Sequence, residues 1–109
     1  MTATQLTAEA ETETVHDIEE LLNLISDPDC RLILSATSEH PVDALELEEM
    51  TNIPRSTVYR KVDKLEETPL LEEFTAIDSA GHHSQKYRCQ VDELRMHFKS
   101  NDHLCIRIA

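Results

Sequence analysis

The stretch Leu47–Glu67 reads LEEMTNIPRSTVYRKVDKLEE, and its second half decides the fold that we expect for this chain. Val58, Val62 and Leu65 fall at i, i+4 and i+7, which is the spacing of a buried stripe along one side of a helix. The positions between them carry mostly cations and hydroxyl groups. The pattern therefore predicts a helix over about 54–67 whose free side is basic.

This basic helix lies in a strongly acidic protein of 109 residues with a formal net charge of −12. Residues 1–52 hold 13 Asp or Glu against one Arg, whereas residues 53–109 hold 9 acidic and 9 basic residues. A cluster of cations in such a protein indicates a face aimed at a polyanion. The alternative is a solvated helix face whose cations pair with Asp63 and Glu67.

Composition limits the class of protein. A chain of this length with 39% apolar residues can bury one modest core. No apolar run approaches the roughly 20 residues of a membrane-spanning helix. The first 14 residues also lack the basic and apolar regions of a secretory signal, so we expect a soluble, cytoplasmic protein without membrane contact. The three cysteines have no CxxC spacing, which disfavours a disulfide framework and a zinc knuckle.

The acidity and the low number of lysines, four in the whole chain, also fit a halophilic protein. In a salty cytoplasm carboxylates hold water and counterions, and their mutual repulsion is screened over a Debye length of about 3 Å or less. The alternative is an ordinary acidic protein whose partner binds the acidic half of the chain.

Helical signals precede the basic helix. Residues 1–14 have no periodic apolar positions and are expected to form a disordered acidic arm. Helical spacing predicts a first helix over about 15–26, Asp27 before Pro28 predicts the start of a second, and a third is predicted over about 42–50. The side chains expected to face the core in the second and third helices are Leu32, Ile33, Ala36, Leu45 and Leu47.

Turn and strand signals surround the basic helix. Asn52 is expected to take the left-handed conformation, and Pro54 to open the helix. The apolar period then changes to 2 and predicts strands over 70–78 and 84–91, with Gly81, the only glycine, in a turn of positive φ between them. In the return strand the expected inward side chains are Tyr87, Cys89 and Val91, and the outward ones are Lys86, Arg88 and Gln90.

The last residues again alternate between apolar and polar side chains. The two apolar sets are Leu94, Met96 and Phe98, then Leu104, Ile106 and Ile108. They predict a C-terminal hairpin connected by residues 100–102, in a register that places His97 opposite Cys105. The segment VDELRMHF can also form a short helix. An apolar-faced hairpin either covers its own domain or pairs with a second copy, so residues 92–109 are expected as an extension that can provide a dimer contact.

These features resemble those of a known family, the winged helix-turn-helix transcription regulators of the ArsR/MarR-like type, and most closely its small haloarchaeal members. The resemblance covers roughly Leu21–Val91, and its specific part is Leu47–Glu67. The family usually has Gly where this chain has Asn52, and often Ala-Gly-Leu where this chain has residues 68–70. The resemblance implies an α+β fold: a winged helix-turn-helix over 15–91, with about four helices followed by a β-hairpin wing.

The resemblance also implies how such a domain is used. The recognition helix, about 54–67, lies in the major groove of double-stranded DNA, and the wing, about 79–86, lies over the neighbouring backbone. Carried over position by position, the implied DNA-binding residues are Arg55, Ser56, Thr57, Tyr59, Arg60, Lys61 and Lys64 in the helix and His82, His83, Lys86 and Arg88 in the wing.

The implied roles differ along the helix. Ser56, Thr57 and Arg60 would meet bases or nearby phosphates. Arg55 and Lys61 would lie toward the DNA backbone. Arginine can bind guanine through two hydrogen bonds, while lysines and hydroxyl groups mainly fix the register on phosphates.

The remaining assignments have structural alternatives. Tyr59 would donate its hydroxyl to a phosphate, or it packs on the rim of the domain. His82 and His83 would lie at the wing tip near the DNA backbone, or they are ordinary exposed loop residues. Lys86 and Arg88 would bind phosphates, or they protect an edge strand from pairing with another chain.

We therefore expect a sequence-specific DNA-binding transcription regulator that acts as a homodimer on a short operator and meets the transcription machinery. No enzyme activity, cofactor or metal is expected, since the sequence has neither a hydrolase motif nor a Gly-rich phosphate loop. One alternative is a winged helix used for protein contact without DNA. Another is a metal-responsive regulator, because imidazole and thiolate from His97, His103 and Cys105 would suit zinc or copper.

Overall fold

The protein has a mixed α+β fold in the part of the chain that the computed structural model describes, residues 15–100 and 103–109. Four helices and two small antiparallel sheets make up this part. Their bounds are α1 Val15–Ser26, α2 Pro28–Ala36, β1 Val42–Asp43, α3 Ala44–Thr51, α4 Arg55–Glu66, β2 Leu71–Ile77, β3 His83–Cys89, β4 Leu94–Lys99 and β5 His103–Ile108. The α+β class is thereby confirmed, and the arm predicted over 1–14 lies outside the described residues.

The chain divides into two compact units. Among the described residues, those up to Asn23 and those from Val91 form one unit, and Leu24–Gln90 form the other. The basic helix α4 and the hairpin of β2 and β3 both lie in the second unit. The C-terminal hairpin of β4 and β5 lies in the first.

Short polar signals set the helix ends in the second unit. Asp27 caps α2, since its carboxylate accepts a hydrogen bond of 2.9 Å from the Asp29 backbone amide, with Pro28 at the first helical position. Asn52 ends α3 in the left-handed conformation, at φ 64°. The predictions for Asp27, Pro28 and Asn52 are confirmed. Pro54 itself precedes the first helical residue of α4.

The start of α3 differs from its prediction. Val42 and Asp43 do not begin the helix but form the short strand β1, which pairs with β3. The reason is a capping box: the Asp43 carboxylate accepts from the Glu46 amide at 2.8 Å, and the Glu46 carboxylate accepts from the Asp43 amide at 3.1 Å. Because an N-cap residue has extended backbone geometry, the two residues before the helix are free to join the sheet.

The three-stranded sheet has the strand order β1-β3-β2, and its pairs are antiparallel. The β2–β3 pairing runs from Leu71 opposite Cys89 to Ile77 opposite His83. Gly81 has a φ of 83°, as predicted for the turn between these strands. The predicted hairpin is therefore confirmed.

The core of the second unit consists mainly of apolar side chains from α2, α3 and α4. Val58, Val62 and Leu65 are fully buried, which confirms the predicted stripe on α4. Leu32 and Leu45 are exposed, so their predicted core positions are wrong. The predicted core positions of Ile33 and Leu47 are confirmed, and Cys30 in α2 and Ala44 in α3 are buried as well. Successive helix positions differ by about 100° of rotation, so Leu32 and Leu45 point elsewhere.

Three further inward predictions hold only in part. Tyr87 is buried as expected, at the register position opposite Val42 of β1. Ala36, Cys89 and Val91 are only partly buried. Val91 also lies beyond the end of β3, where the strand pairing has stopped.

The C-terminal hairpin has the register that the sequence predicts. Leu94 lies opposite Ile108, Met96 opposite Ile106, and His97 opposite Cys105. The alternative of a short helix is therefore wrong. Residues 101 and 102 of the predicted connection lie outside the described residues.

Candidate nucleic-acid interface

Helix α4 has two chemically different sides. Its inner side is the fully buried stripe of Val58, Val62 and Leu65. The side chains of Ser56, Tyr59, Arg60 and Lys64 are exposed, and Thr57 is half-buried. Because positions three and four apart share a face, these residues form an outer side with two cations and two hydroxyl groups, and the exposed carboxylate of Asp63 lies on the same side. We call Ser56, Tyr59, Arg60 and Lys64 the outer set.

The connection before α4 is short and internally bonded. The Thr51 hydroxyl donates to the Leu47 carbonyl at 2.6 Å and accepts from the Ile53 amide at 3.3 Å. Ile53 is buried. With Asn52 in the left-handed conformation, only three residues separate the end of α3 from the start of α4.

Arg55 is held by α3. Its guanidinium donates two hydrogen bonds to Glu48 Oε1, from Nη2 at 2.9 Å and from Nε at 3.1 Å, and its backbone amide donates to Glu48 Oε2 at 3.2 Å. This fork-like pairing neutralises the cation at the first turn of α4. The position for which the sequence predicts a DNA-backbone contact is therefore already occupied by an intramolecular partner.

Lys61 is held by the start of α2. Its ammonium group donates a hydrogen bond to Asp27 Oδ2, and its side chain is only 18% exposed. The hydrogen bond from Lys61 lowers the pKa of Asp27, and the backbone amides of Asp29 and Cys30 act in the same direction. Lys61 thus ties the middle of α4 to the capping residue of α2.

Arg60 and Lys64 differ from these two cations. Neither forms a hydrogen bond or an ion pair with any residue that the structure describes. The alternative pairing with Asp63 and Glu67 is likewise not formed among the described residues. Two unneutralised cations on an exposed helix face are available to an external anion.

The hairpin of β2 and β3 adds cations that also divide into two kinds. Lys86 lies 3.8 Å from Glu46 of α3 and is half-buried. Arg88 lies on the same face two positions along, is exposed, and has no ion-pair partner among the described residues. Arg88 is therefore the cation of this strand that an outside anion can reach.

The tip of this hairpin is exposed and organised by one carboxylate. Asp78 accepts hydrogen bonds from the backbone amides of Ala80 and His82, each at 2.9 Å, and lies 3.3 Å from His82 Nδ1. The bond from the His82 amide is the largest of the influences that lower the pKa of Asp78. His83 is exposed and begins β3. The tip thus places the His82 imidazole beside an anion.

A groove lies between the start of α4 and strand β3. It has a volume of about 280 Å³ and is lined by Arg55 and Tyr59 of α4, by Ser84, Gln85 and Tyr87 of β3, and by Asp43, Ala44 and Leu45 at the start of α3. Burial, followed by the charge of Glu73, raises the pKa of Tyr87 to about 12, so this phenol stays neutral. The groove thus places Tyr59 of the outer set beside residues of the hairpin.

Sequence reasoning missed Ser84 and Gln85 as part of this surface. The two residues directly precede Lys86 in β3, and no charge or motif distinguishes them in the sequence. The alternation around Tyr87 was the available signal, because it places Gln85 on the same side of the strand as the buried tyrosine. The Gln85 amide oxygen accepts from the Thr75 hydroxyl at 2.6 Å, which fixes that side chain.

Metal binding and membrane insertion each require a different arrangement of residues. Among the described residues no group of three or more His, Cys, Asp or Glu side chains is arranged to hold a metal ion. The His103 side chain, which the metal-responsive alternative requires, lies outside the described set. No helix in the described ranges has the length and apolar character needed to span a membrane.

No protein-family model, curated protein or solved structure matches this chain.

Proposed function

We propose that the protein is a sequence-specific, double-stranded DNA-binding transcription regulator built on a winged helix-turn-helix. In this proposal α3 and α4 are the helix-turn-helix, and the hairpin of β2 and β3 is the wing. The element order α2, β1, α3, α4, β2, β3 and the sheet order β1-β3-β2 support it. The three-residue connection between α3 and α4, with Asn52 in the left-handed conformation, also supports it, since helix-turn-helix motifs join their helices by a short turn.

The single observation that carries the proposal is the outer set. In a protein of net charge −12, Arg60 and Lys64 stand exposed and without an intramolecular partner among the described residues, on the side of α4 opposite a fully buried stripe. A helix in the major groove reads bases with such side chains. Arg60 would bind a guanine edge, Ser56 would meet a base or phosphate near the helix start, and Lys64 would bind a phosphate.

The intramolecular pairs of Arg55 and Lys61 give these residues a different task in the proposal. Glu48 and Asp27 hold them to α3 and α2, so they fix the angle at which α4 leaves the domain. A recognition helix that is braced at both its first and its second turn presents the outer set in one orientation. Arg55 and Lys61 then act as positioning residues.

The groove between α4 and β3 suits one strand of the DNA backbone. The Tyr59 hydroxyl borders it from the helix, and Ser84 and Gln85 border it from the wing. Neutral donors of this kind bind phosphate without adding charge. Arg88 would contact the next phosphates along the wing, and the tip histidines His82 and His83 would lie beyond them.

The experiment that tests the proposal is selection from a pool of random DNA duplexes with the purified full chain, followed by sequencing. The expected result is a short enriched motif that binds with much higher affinity than its scrambled version. The selection is repeated from about 0.1 M to above about 1 M salt, over which the Debye length falls from about 10 Å to about 3 Å. Failure to enrich any motif at every one of these salt concentrations would overturn the proposal.

A second function has one observation in its favour. Leu32 and Met50 are exposed and border a groove of about 400 Å³, which also includes Ser35, Glu39 and His40. Exposed apolar side chains beside a groove are typical of protein contacts. The domain could therefore bind a protein partner, such as part of the transcription machinery, without DNA. In that case replacing Arg60 and Lys64 by Ala would leave capture of the partner unchanged.

A further inference from the structure

The hairpin of β4 and β5 exposes an apolar face. Met96 is 54% exposed and Phe98 is 83% exposed, although the chain has only two phenylalanines. The register puts Met96 opposite Ile106 and Phe98 opposite Leu104, with Leu94 opposite Ile108. Because side chains alternate between the two sides of a strand, these six apolar residues share one side of the hairpin, which we call the apolar face.

This hairpin has few other strands to support it. Among the described residues β4 and β5 form a sheet of two strands, whereas β2 and β3 are joined by β1. A two-stranded ribbon is only marginally stable in water unless its apolar face is covered. Ile106, in the middle of the apolar face, is already buried within the chain, but Met96 and Phe98 are open to solvent.

Charge decides which partner fits this face. Neither β4 nor β5 contains an Asp or Glu, whereas each of the four described helices contains at least one. The charged Arg95 and Arg107 alternate onto the opposite side of the hairpin. Two copies of a protein of net charge −12 can therefore meet on the apolar face without bringing like charges together.

We infer that the apolar face is the contact between two copies of this chain, which pack face to face around Met96 and Phe98. An apolar patch is complementary to itself, as a two-fold contact requires. Two Phe98 rings can stack where the copies meet, and Met96 stands two positions along on the same side of β4.

The size of the face sets the strength of the contact. Each strand of six residues, at about 3.3 Å a residue, is about 20 Å long, and two strands about 4.8 Å apart are about 10 Å wide, so the face covers roughly 200 Å² per copy, of which the part around Ile106 is already buried. A stable interface buries about 1,200–2,000 Å² in total. Self-association through this face is therefore weak in free solution and becomes strong only when two copies are held close together.

This inference deepens the proposed function and rests on it in one respect. Two copies on neighbouring half-sites of one duplex are held at high effective concentration, so the second copy binds more tightly than the first. A paired site would then bind far better than a single half-site. The contact itself does not require DNA and can be measured without it.

The first experiment uses no DNA. Phe98→Cys and Arg95→Cys place a thiol on the two opposite sides of strand β4, both at exposed positions. On mild oxidation of concentrated protein, Phe98→Cys is expected to give a covalent dimer, while Arg95→Cys and the wild type remain monomeric. Equal cross-linking of the two variants, or none in Phe98→Cys, would overturn the face-to-face contact.

The second experiment uses a duplex with two selected half-sites, in inverted orientation and one helical turn apart. Met96→Thr with Phe98→Thr keeps β-forming residues but removes the apolar face, and Arg95→Thr is the matched control on the other side. The double variant is expected to keep its half-site affinity and to lose about tenfold or more of its affinity for the paired site. An unchanged paired-site affinity would contradict the inference, whereas loss of half-site binding by every protein, the wild type included, would contradict the proposed function alone.

Discussion

The four cations of helix α4 are of two kinds, those with a partner inside the protein and those without one among the described residues. Arg55 and Lys61 are bonded to Glu48 and Asp27 and are part of the protein's own scaffold. Arg60 and Lys64, on the same helix, have no such partner among the described residues. The difference teaches that a basic segment in a sequence is not yet a binding face, because some of its charge holds the fold together.

The largest effect is expected from removing the unpaired cations. In Arg60→Ala with Lys64→Ala, loss of a base contact and a phosphate contact, each worth about 1–3 kcal/mol, should weaken binding to the selected duplex by about 100-fold. The free energy of unfolding should stay within about 0.5 kcal/mol of the wild type, because both side chains are exposed. Fluorescence anisotropy and urea unfolding measure the two quantities.

The control for this variant is Arg95→Ala, which removes an exposed cation from β4, outside the proposed interface. It should leave DNA affinity almost unchanged. If Arg95→Ala weakened binding as much as either α4 substitution alone, net charge and not the outer set would govern binding.

The opposite pattern is expected for Lys61→Ala. The Lys61–Asp27 pair is mostly covered by protein, so its loss should cost about 1–2 kcal/mol of stability, between the values for exposed and buried pairs. The number of phosphates contacted should not change, so the slope of log affinity against log salt should match the wild type. A slope smaller by about 0.9 with unchanged stability would instead make Lys61 a phosphate contact.

A smaller effect is expected from pH. Because Lys61 lowers the pKa of Asp27 in the folded protein, the charged carboxylate stabilises the fold above its unfolded pKa of about 3.9. That stabilisation is lost as the pH falls through the lower, folded value. Asp27→Asn should therefore lose less stability than the wild type when the pH is lowered from about 5 to about 3, a window that spans the unfolded pKa.

The pH effect has an internal control in the same pair. In a Lys61→Ala background the substitution Asp27→Asn should alter the acid limb of the unfolding curve much less, since the main cause of the shifted pKa is gone. Circular dichroism measures these unfolding curves. If Asp27→Asn changed them equally in both backgrounds, Lys61 would not be the cause of the lowered pKa of Asp27.

The smallest effect concerns salt in the wild-type protein. Carboxylates such as Asp63 and Glu66 lie on the same helix as the outer set and would approach the phosphates. Cations must then be taken up between protein and DNA, which offsets part of the usual counterion release. The salt slope should be shallower than −0.9 per phosphate contact, and a full slope of about −0.9 per contact over the molar range would contradict this.

Local signals explain why much of the fold was predictable. The cap at Asp27, the left-handed Asn52, the stripe on α4 and the turn at Gly81 each depend on neighbouring residues alone. The register of β4 and β5 followed from alternation. Leu32 and Ile33 were both predicted to face the core, but only Ile33 is buried. Which of two adjacent apolar residues faces the core depends on the elements packed against the helix, and these are distant in the sequence.

The candidate site was less predictable for the same reason. The sequence contains all the cations, but whether each is paired depends on residues far away in the chain. Asp27 lies 34 positions from Lys61, and Glu46 lies 40 positions from Lys86. The fold brings these distant residues together. Only the structure therefore shows that Lys61 and Lys86 have acidic partners, whereas Arg60 and Arg88 have none among the described residues.

The most direct test of the central claim is a nuclear magnetic resonance titration of isotope-labelled protein with the selected duplex, at high salt. The account predicts that signals change mainly for the outer set of α4, for the groove residues Ser84 and Gln85, and for Arg88. Signals that change mainly in the acidic half, while those of Arg60 and Lys64 stay constant, would contradict it.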